Sequence, residues 1–128
     1  MLNINPEIIC FIIDKARQFH AKEEVSIPEV PTSPADDWAM QVLADHEDDL
    51  CFYEVRSTIY DLEPDQMKEL VALMWLGRGD YELSEWDMAL QDALEVLNLH
   101  VPEYMLAHPM LAEHLVDGLI LHGYSCEA

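Results

Sequence analysis

Residues 69–87 read ELVALMWLGRGDYELSEWD, and the first half of that stretch decides the fold. From Leu70 to Leu76 every residue is apolar, and six of the seven are large. Wound as a helix, this run covers most of the circumference, so the helix must be buried on nearly all sides. Its start is marked by Pro64 at the first helical position, with Leu62 and Met67 spaced to clasp the entering chain. Gly77 follows the last large apolar residue and is expected to be the left-handed cap, with Gly79 supplying a second special backbone angle. The pattern predicts a core helix over about 64–76, with the other helices wrapped around it.

The flanking segments carry the same helical grammar. Asn5-Pro6 places a cap residue before a proline, and Ile9, Ile12, Ile13, Ala16 and Phe19 then fall on one face. Residues 25–33 are proline-rich and read as a surface connection. Ser33-Pro34 opens a second helix bearing Trp38, Val42 and Leu43. ADHEDDL, residues 44–50, breaks it, giving a short helix to about Ala44 and another from about Asp49 to Tyr60; one unbroken helix is the alternative. Leu50, Tyr53 and Ile59 are expected inward. Ser84, with Asp87 as a capping partner, opens a helix that buries Trp86, Leu90, Leu94 and Leu97. One or two helical turns fit between Pro102 and Ala107. Pro109 starts the last helix, with Leu111, Leu115, Leu119 and Ile120 or Leu121 inward, and Gly123 ends it. No alternating strand pattern occurs. The expected class is all-α, a compact single-domain bundle of about five to seven helices spanning residues 1–128.

Composition narrows the partners. Hydrophobic residues make up 51% of the 128, enough to form a core despite the charge. Asp and Glu number 26 against 6 Lys and Arg, a formal net charge of −20. That balance disfavours direct binding to nucleic acid or an anionic membrane face and suits a basic protein or peptide. Cys10, Cys51 and Cys126 are odd in number and widely spaced, with no Cys-x-x-Cys, so they predict neither a zinc site nor a disulfide framework. Reduced thiols, a start without a basic leader and the lack of a long apolar run predict a cytoplasmic protein with no membrane span.

Three groups of residues are candidate sites. Arg78-Gly79-Asp80 is either a structural turn or, through Arg78, an anchor for a carboxylate or phosphate. Asp45, His46, Asp48 and Asp49 form the densest donor cluster, without the spacing of a calcium loop; a helix break with an acidic cap accounts for it. His20/Glu23 and His100/Glu103 have His-x-x-Glu spacing, the reverse of the order used in di-iron bundles, and His108, His114 and His122 include no i,i+4 pair. No metal and no cofactor are predicted. No nucleophile motif, phosphate loop or dinucleotide fingerprint is present.

The strings ADDWAMQVLADHEDDL, LEPDQMKELVALMWLGRGDYE, EWDMALQDA and EYMLAHPMLAEHLVDGL occur in that order. Together they resemble a bacterial family of small uncharacterised proteins, the domain of unknown function numbered 3775, over about residues 34–120. LVALMWLGRGD is the centre of the resemblance; His108-Pro109 and Gly118-Leu119 also fit, and Val116 departs from the acidic residue expected there. The resemblance implies a shared compact helical fold and carries no activity. The functional expectation is a small acidic interaction module that binds a basic protein, with a homodimer as a further form. The alternative is a small-molecule- or metal-binding enzyme with its site near Arg78 and Asp80.

Overall fold

The computed structural model describes residues 2–23, 50–97 and 100–126. Within them the chain forms six α-helices: α1 (Pro6–Glu23), α2 (Leu50–Tyr60), α3 (Pro64–Arg78), α4 (Trp86–Val96), α5 (Val101–Leu106) and α6 (Leu111–Leu121). A single 3₁₀ turn at Leu83–Glu85 precedes α4. No strand occurs among the described residues. The expected helix with Trp38 and the break at residues 44–49 lie outside them.

Helix α3 is the core element. Every side chain from Glu69 to Leu76 is buried, as the all-round apolar run requires. It packs against α4 and α6, while α1 packs against α2 and α6, and α2 against α5. At the start of α1, the Glu7 N–H donates to Asn5 Oδ1 at 2.9 Å. The whole predicted stripe of Ile9, Ile12, Ile13, Ala16 and Phe19 is buried.

Among the described residues, Glu69 is the one carboxylate sealed in this core. Its Oε1 accepts from the Asn3 N–H and the Ile4 N–H, both at 2.8 Å, and its Oε2 accepts from the Asn3 N–H at 3.0 Å. Backbone donors thereby solvate the charge, and the segment before α1 is fastened to the middle of the chain.

Two glycines set how closely α3 and α6 approach. A Cβ on Gly77 would lie 1.7 Å from the His114 carbonyl oxygen, and one on Gly118 would lie 2.5 Å from the Leu73 carbonyl oxygen. The helices therefore meet backbone to backbone at reciprocal positions. Gly77 is not the expected cap. It lies inside α3, and Gly79 takes the left-handed conformation (φ 96°), its N–H donating to the Trp75 and Leu76 carbonyls. Gly123 (φ 86°) follows α6 as expected.

Other expectations are corrected by packing. On α2, Cys51, Phe52, Val55 and Ile59 are buried, whereas Leu50 and Tyr53 are exposed; the inward stripe is rotated from the one expected. On α4 the buried residues are Ala89 and Ala93. Trp86, Leu90 and Leu97 are half-buried and Leu94 is exposed, because small residues allow α4 to lie close to α3. The Glu82 N–H donates to Glu85 Oε1, so the entry to this segment is organised one turn before Ser84-Asp87. Pro109 occupies a turn closed by the Leu111 N–H on the His108 carbonyl, and α6 begins at Leu111. Ile120 and Leu121 are both exposed. Finally, Cys10 and Cys126 are disulfide-bonded, and Cys51 is a buried thiol outside that bond. Spacing in the sequence concealed a bond across 116 positions that the α1/α6 contact brings together.

Replacing Gly77 by Ala would raise intrinsic helix propensity by about 1 kcal/mol. The clash with the His114 carbonyl reverses that sign, and a net loss of about 2–4 kcal/mol is expected from the urea midpoint. Glu69→Ala strands the Asn3 and Ile4 donors and should cost about 2–4 kcal/mol in the same assay. A wild-type midpoint in either variant would show that the contact in question contributes nothing.

Candidate functional site

The turn after α3 folds Arg78 and Asp80 together. With Gly79 left-handed, the Asp80 N–H reaches the Trp75 carbonyl at 3.0 Å. The Asp80 carboxylate then lies against the guanidinium, accepting from Arg78 Nε at 2.8 Å and from Nη2. This is a fork-shaped charge-assisted pair made within three residues. Arg-Gly-Asp is thus a closed turn in which the two charged ends bind each other.

Helix α5 and the turn following it supply the other side. His108 Nδ1 lies 2.9 Å from the Tyr104 carbonyl, and its Nε2 lies 2.8 Å from Arg78 Nη1. A carbonyl only accepts and a guanidinium only donates. His108 must therefore be neutral, with its proton on Nδ1 and its Nε2 lone pair towards Arg78. Burial pulls its pKa down to about 4, and the Arg78 charge acts in the same direction. Trp75 Nε1 donates to the Tyr104 hydroxyl at 2.9 Å. Burial raises the Tyr104 pKa, opposed by the bond from Trp75 and by Arg78. Burial also lowers His114 on α6, again with help from Arg78. Burial is the leading cause at all three groups, and one arginine at the end of the core helix reinforces it at the two histidines.

On the solvent side, Tyr81 stacks on Trp75 with ring centroids 5.9 Å apart. Its hydroxyl donates to Asp92 Oδ2 on α4. That bond, with burial and the nearby carboxylates, pushes the phenol up to about 12. Beside the stack opens a cleft of about 480 Å³ lined by Trp75, Arg78, Asp80, Tyr81, Glu85, Met88 and Asp92. Three carboxylates and one guanidinium line it, and the guanidinium is already bonded to Asp80 and His108.

A family model described as "Protein of unknown function (DUF3775)" matches residues 53–124, more than half of the chain. The chain belongs to this family. No curated protein and no solved structure matches it. The segment shared with the DUF3775 family contains the whole Trp75–Arg78–Tyr104–His108 network and both glycines of the α3/α6 contact. The Cys10–Cys126 disulfide joins residues on either side of it.

Of the sequence candidates in this DUF3775 member, Arg78 and Asp80 are brought together. Asp45, His46, Asp48 and Asp49 lie outside the described residues. His20 is turned to the Leu106 carbonyl, 2.8 Å from Nε2, and burial lowers its pKa. Glu103 faces Arg56. Among the described residues, no group of three or more His, Cys, Asp or Glu side chains is placed to hold a metal ion. The sequence reading does not single out Tyr104, Tyr81 and Asp92. It weighs His108 only as a metal ligand, beside His114 and His122, and as part of the His-Pro pair in the family resemblance, and neither points to Arg78.

The neutral state of His108 has a consequence for stability. The unfolded imidazole titrates near 6.5 and the folded one near 4, so between those values the unfolded chain binds the extra proton. The contribution is complete above pH 6.5 and is lost as pH falls towards 4, by about 3 kcal/mol at the lower end. His108→Gln keeps an acceptor and a donor but cannot titrate. Its stability measured by urea unfolding should fall less steeply than wild type across this interval, by up to one proton in slope. Parallel curves would place the titration elsewhere.

Proposed function

We propose that this protein is an interaction module for a basic protein segment, and that the cleft beside Trp75 and Tyr81 receives one cationic side chain of that partner. The observation that carries this reading is the commitment of Arg78. Its Nε and Nη2 face Asp80 and its Nη1 faces His108. An anionic ligand would have to displace Asp80 to be bound by it, which weighs against the alternative of an enzyme built on an arginine anchor. Glu85 and Asp92, by contrast, bring negative charge to the cleft beside the Tyr81 ring and the exposed Met88. A guanidinium or ammonium group finds there both carboxylates and polarisable apolar surface.

The rest of the charge distribution supports the same partner chemistry. Lys15, Arg17, Arg56, Lys68 and Arg78 each sit against a carboxylate. Positive charge is neutralised locally, while the acidic surplus of the chain is not. Such a surface attracts basic partners over a Debye length and repels phosphates. No helix among the described residues is long and apolar enough to cross a membrane. A cytoplasmic location belongs to this proposal, with the Cys10–Cys126 bond then exposed to a reducing environment.

The test is titration of isotope-labelled protein with an arginine-rich peptide, a lysine-rich peptide and a glutamate-rich control, followed by amide shifts. A basic peptide should perturb Arg78–Asp92 and the control should not. Combining Glu85→Gln with Asp92→Asn should weaken binding about tenfold, near 1.4 kcal/mol. Raising salt from about 50 to about 300 mM should weaken it further. Binding that leaves Arg78–Asp92 unshifted, or that ignores both substitutions, would remove the cleft from the mechanism.

A further inference from the structure

We propose that the Cys10–Cys126 disulfide is a thiol-responsive latch, holding the segment after Gly123 against the groove between α1 and α6. It is independent of the cleft and of any partner bound there. Three observations on the fold support it. First, the bond lies at the periphery: Cys10 is half-buried on α1, and Cys126 is exposed beyond the end of α6. A dissolved thiol can therefore reach the Cys126 sulfur.

Second, beyond Tyr124, which packs half-buried against the core, the latched segment has little else to hold it. Helix α6 stops at Leu121, Gly123 turns left-handed, and the Tyr124 N–H donates to the Leu119 carbonyl at 2.9 Å. Among the described residues, that is the last backbone hydrogen bond before the cysteine. Third, the segment forms one wall of a recess of about 230 Å³, whose other walls are Arg17 from α1 and Val116, Leu119 and Ile120 from α6. Opening the bond removes Ser125 and Cys126 from that wall and uncovers the apolar strip of α6.

The core does not share this dependence. Helix α1 stays attached through its buried stripe and its packing on α2 and α6, and the chain before it through Glu69. Opening is thus a local event, of the kind drawn from the less stable parts of a fold.

The chemistry needs a thiol of the glutathione class as reductant. Its thiolate attacks Cys126 Sγ, the S–S bond breaks, and the electron pair leaves on Cys10 Sγ, which takes up a proton. A second thiolate attacks the thiol-derived sulfur of the mixed disulfide and releases Cys126 as a thiol. Two small thiols become one small disulfide, and two electrons and two protons pass to the protein.

The full chain would be equilibrated in glutathione buffers of graded ratio; one portion would be alkylated in denaturant, so that buried Cys51 reacts, and weighed, and hydrogen exchange would be read on a second, unalkylated portion. One alkylated thiol, Cys51, is expected on the oxidised side and three on the reduced side, in a single reversible two-electron transition. On reduction, exchange at Gly123–Cys126 should speed up by about tenfold or more, while Leu70–Leu76 keeps its protection. Cys126→Ser should show the fast tail at every ratio, and Cys51→Ala should keep the wild-type transition. Three reactive thiols in the oxidised buffer would overturn the proposal. So would unchanged tail exchange on reduction. Loss of protection at Leu70–Leu76 together with the tail would overturn it too, by making the bond a structural staple.

Discussion

The approach of α3 to α6 is the constraint on which the rest of the structure depends. Gly77 and Gly118 remove the two side chains that would separate these helices, and each glycine faces a carbonyl of the opposite helix. Close packing then seals the apolar circumference of α3. It also places the turn before α6 at the end of α3, where His108 meets Arg78 at 2.8 Å. The core and the polar network are therefore consequences of one contact. Widening it by the radius of a methyl group would disturb both, because packed interiors transmit such displacements instead of absorbing them.

Arg78 is where that packing becomes electrostatics. An arginine at the end of a core helix meets the negative end of the helix dipole and the exposed carbonyls of the last turn. Here it also pairs with Asp80 and, adding to the larger effect of burial, disfavours the charged forms of His108 and His114. A lysine could supply the charge but not the planar fork that meets a carboxylate and an imidazole in different directions. In a chain with so few cations, an arginine held by both Asp80 and His108 acts as a structural keystone. The carboxylates facing solvent beside it are left to interact with something else.

Much of this was legible in the sequence, for identifiable reasons. The all-round apolar run from Leu70 to Leu76, the helix starts at Asn5-Pro6 and Pro64, and the stripe from Ile9 to Phe19 are legible because each is a local pattern with one stable solution. The errors share a different origin. Gly77 was read as a cap because a helix end is the local explanation for glycine, whereas its reason lies across the interface at His114. Size predicts Leu94 and one of Ile120 and Leu121 inward, whereas all three are exposed and the small residues Ala93 and Gly118 are buried. The Cys10–Cys126 bond and the Tyr104–His108–Arg78 network depend on residues far apart in sequence, and no local pattern encodes their meeting.

The same distinction bears on how a surplus of negative charge can be tolerated. Repulsion among carboxylates favours expansion, and the fold offsets it with contacts that do not depend on surface charge: backbone-close helices, a carboxylate solvated by amides at Glu69, and an arginine used internally. Lys15, Arg17, Arg56, Lys68 and Arg78 are placed beside carboxylates, including the Lys15–Glu54 pair between α1 and α2 and the Arg56–Glu103 pair between α2 and α5. Among the described residues, stability resides in the interior and in local contacts of this kind, while the chain as a whole carries far more carboxylates than cations. A basic partner arriving at such a surface would relieve repulsion as well as form contacts. Association would then be favoured by the same excess of charge that the interior was built to withstand.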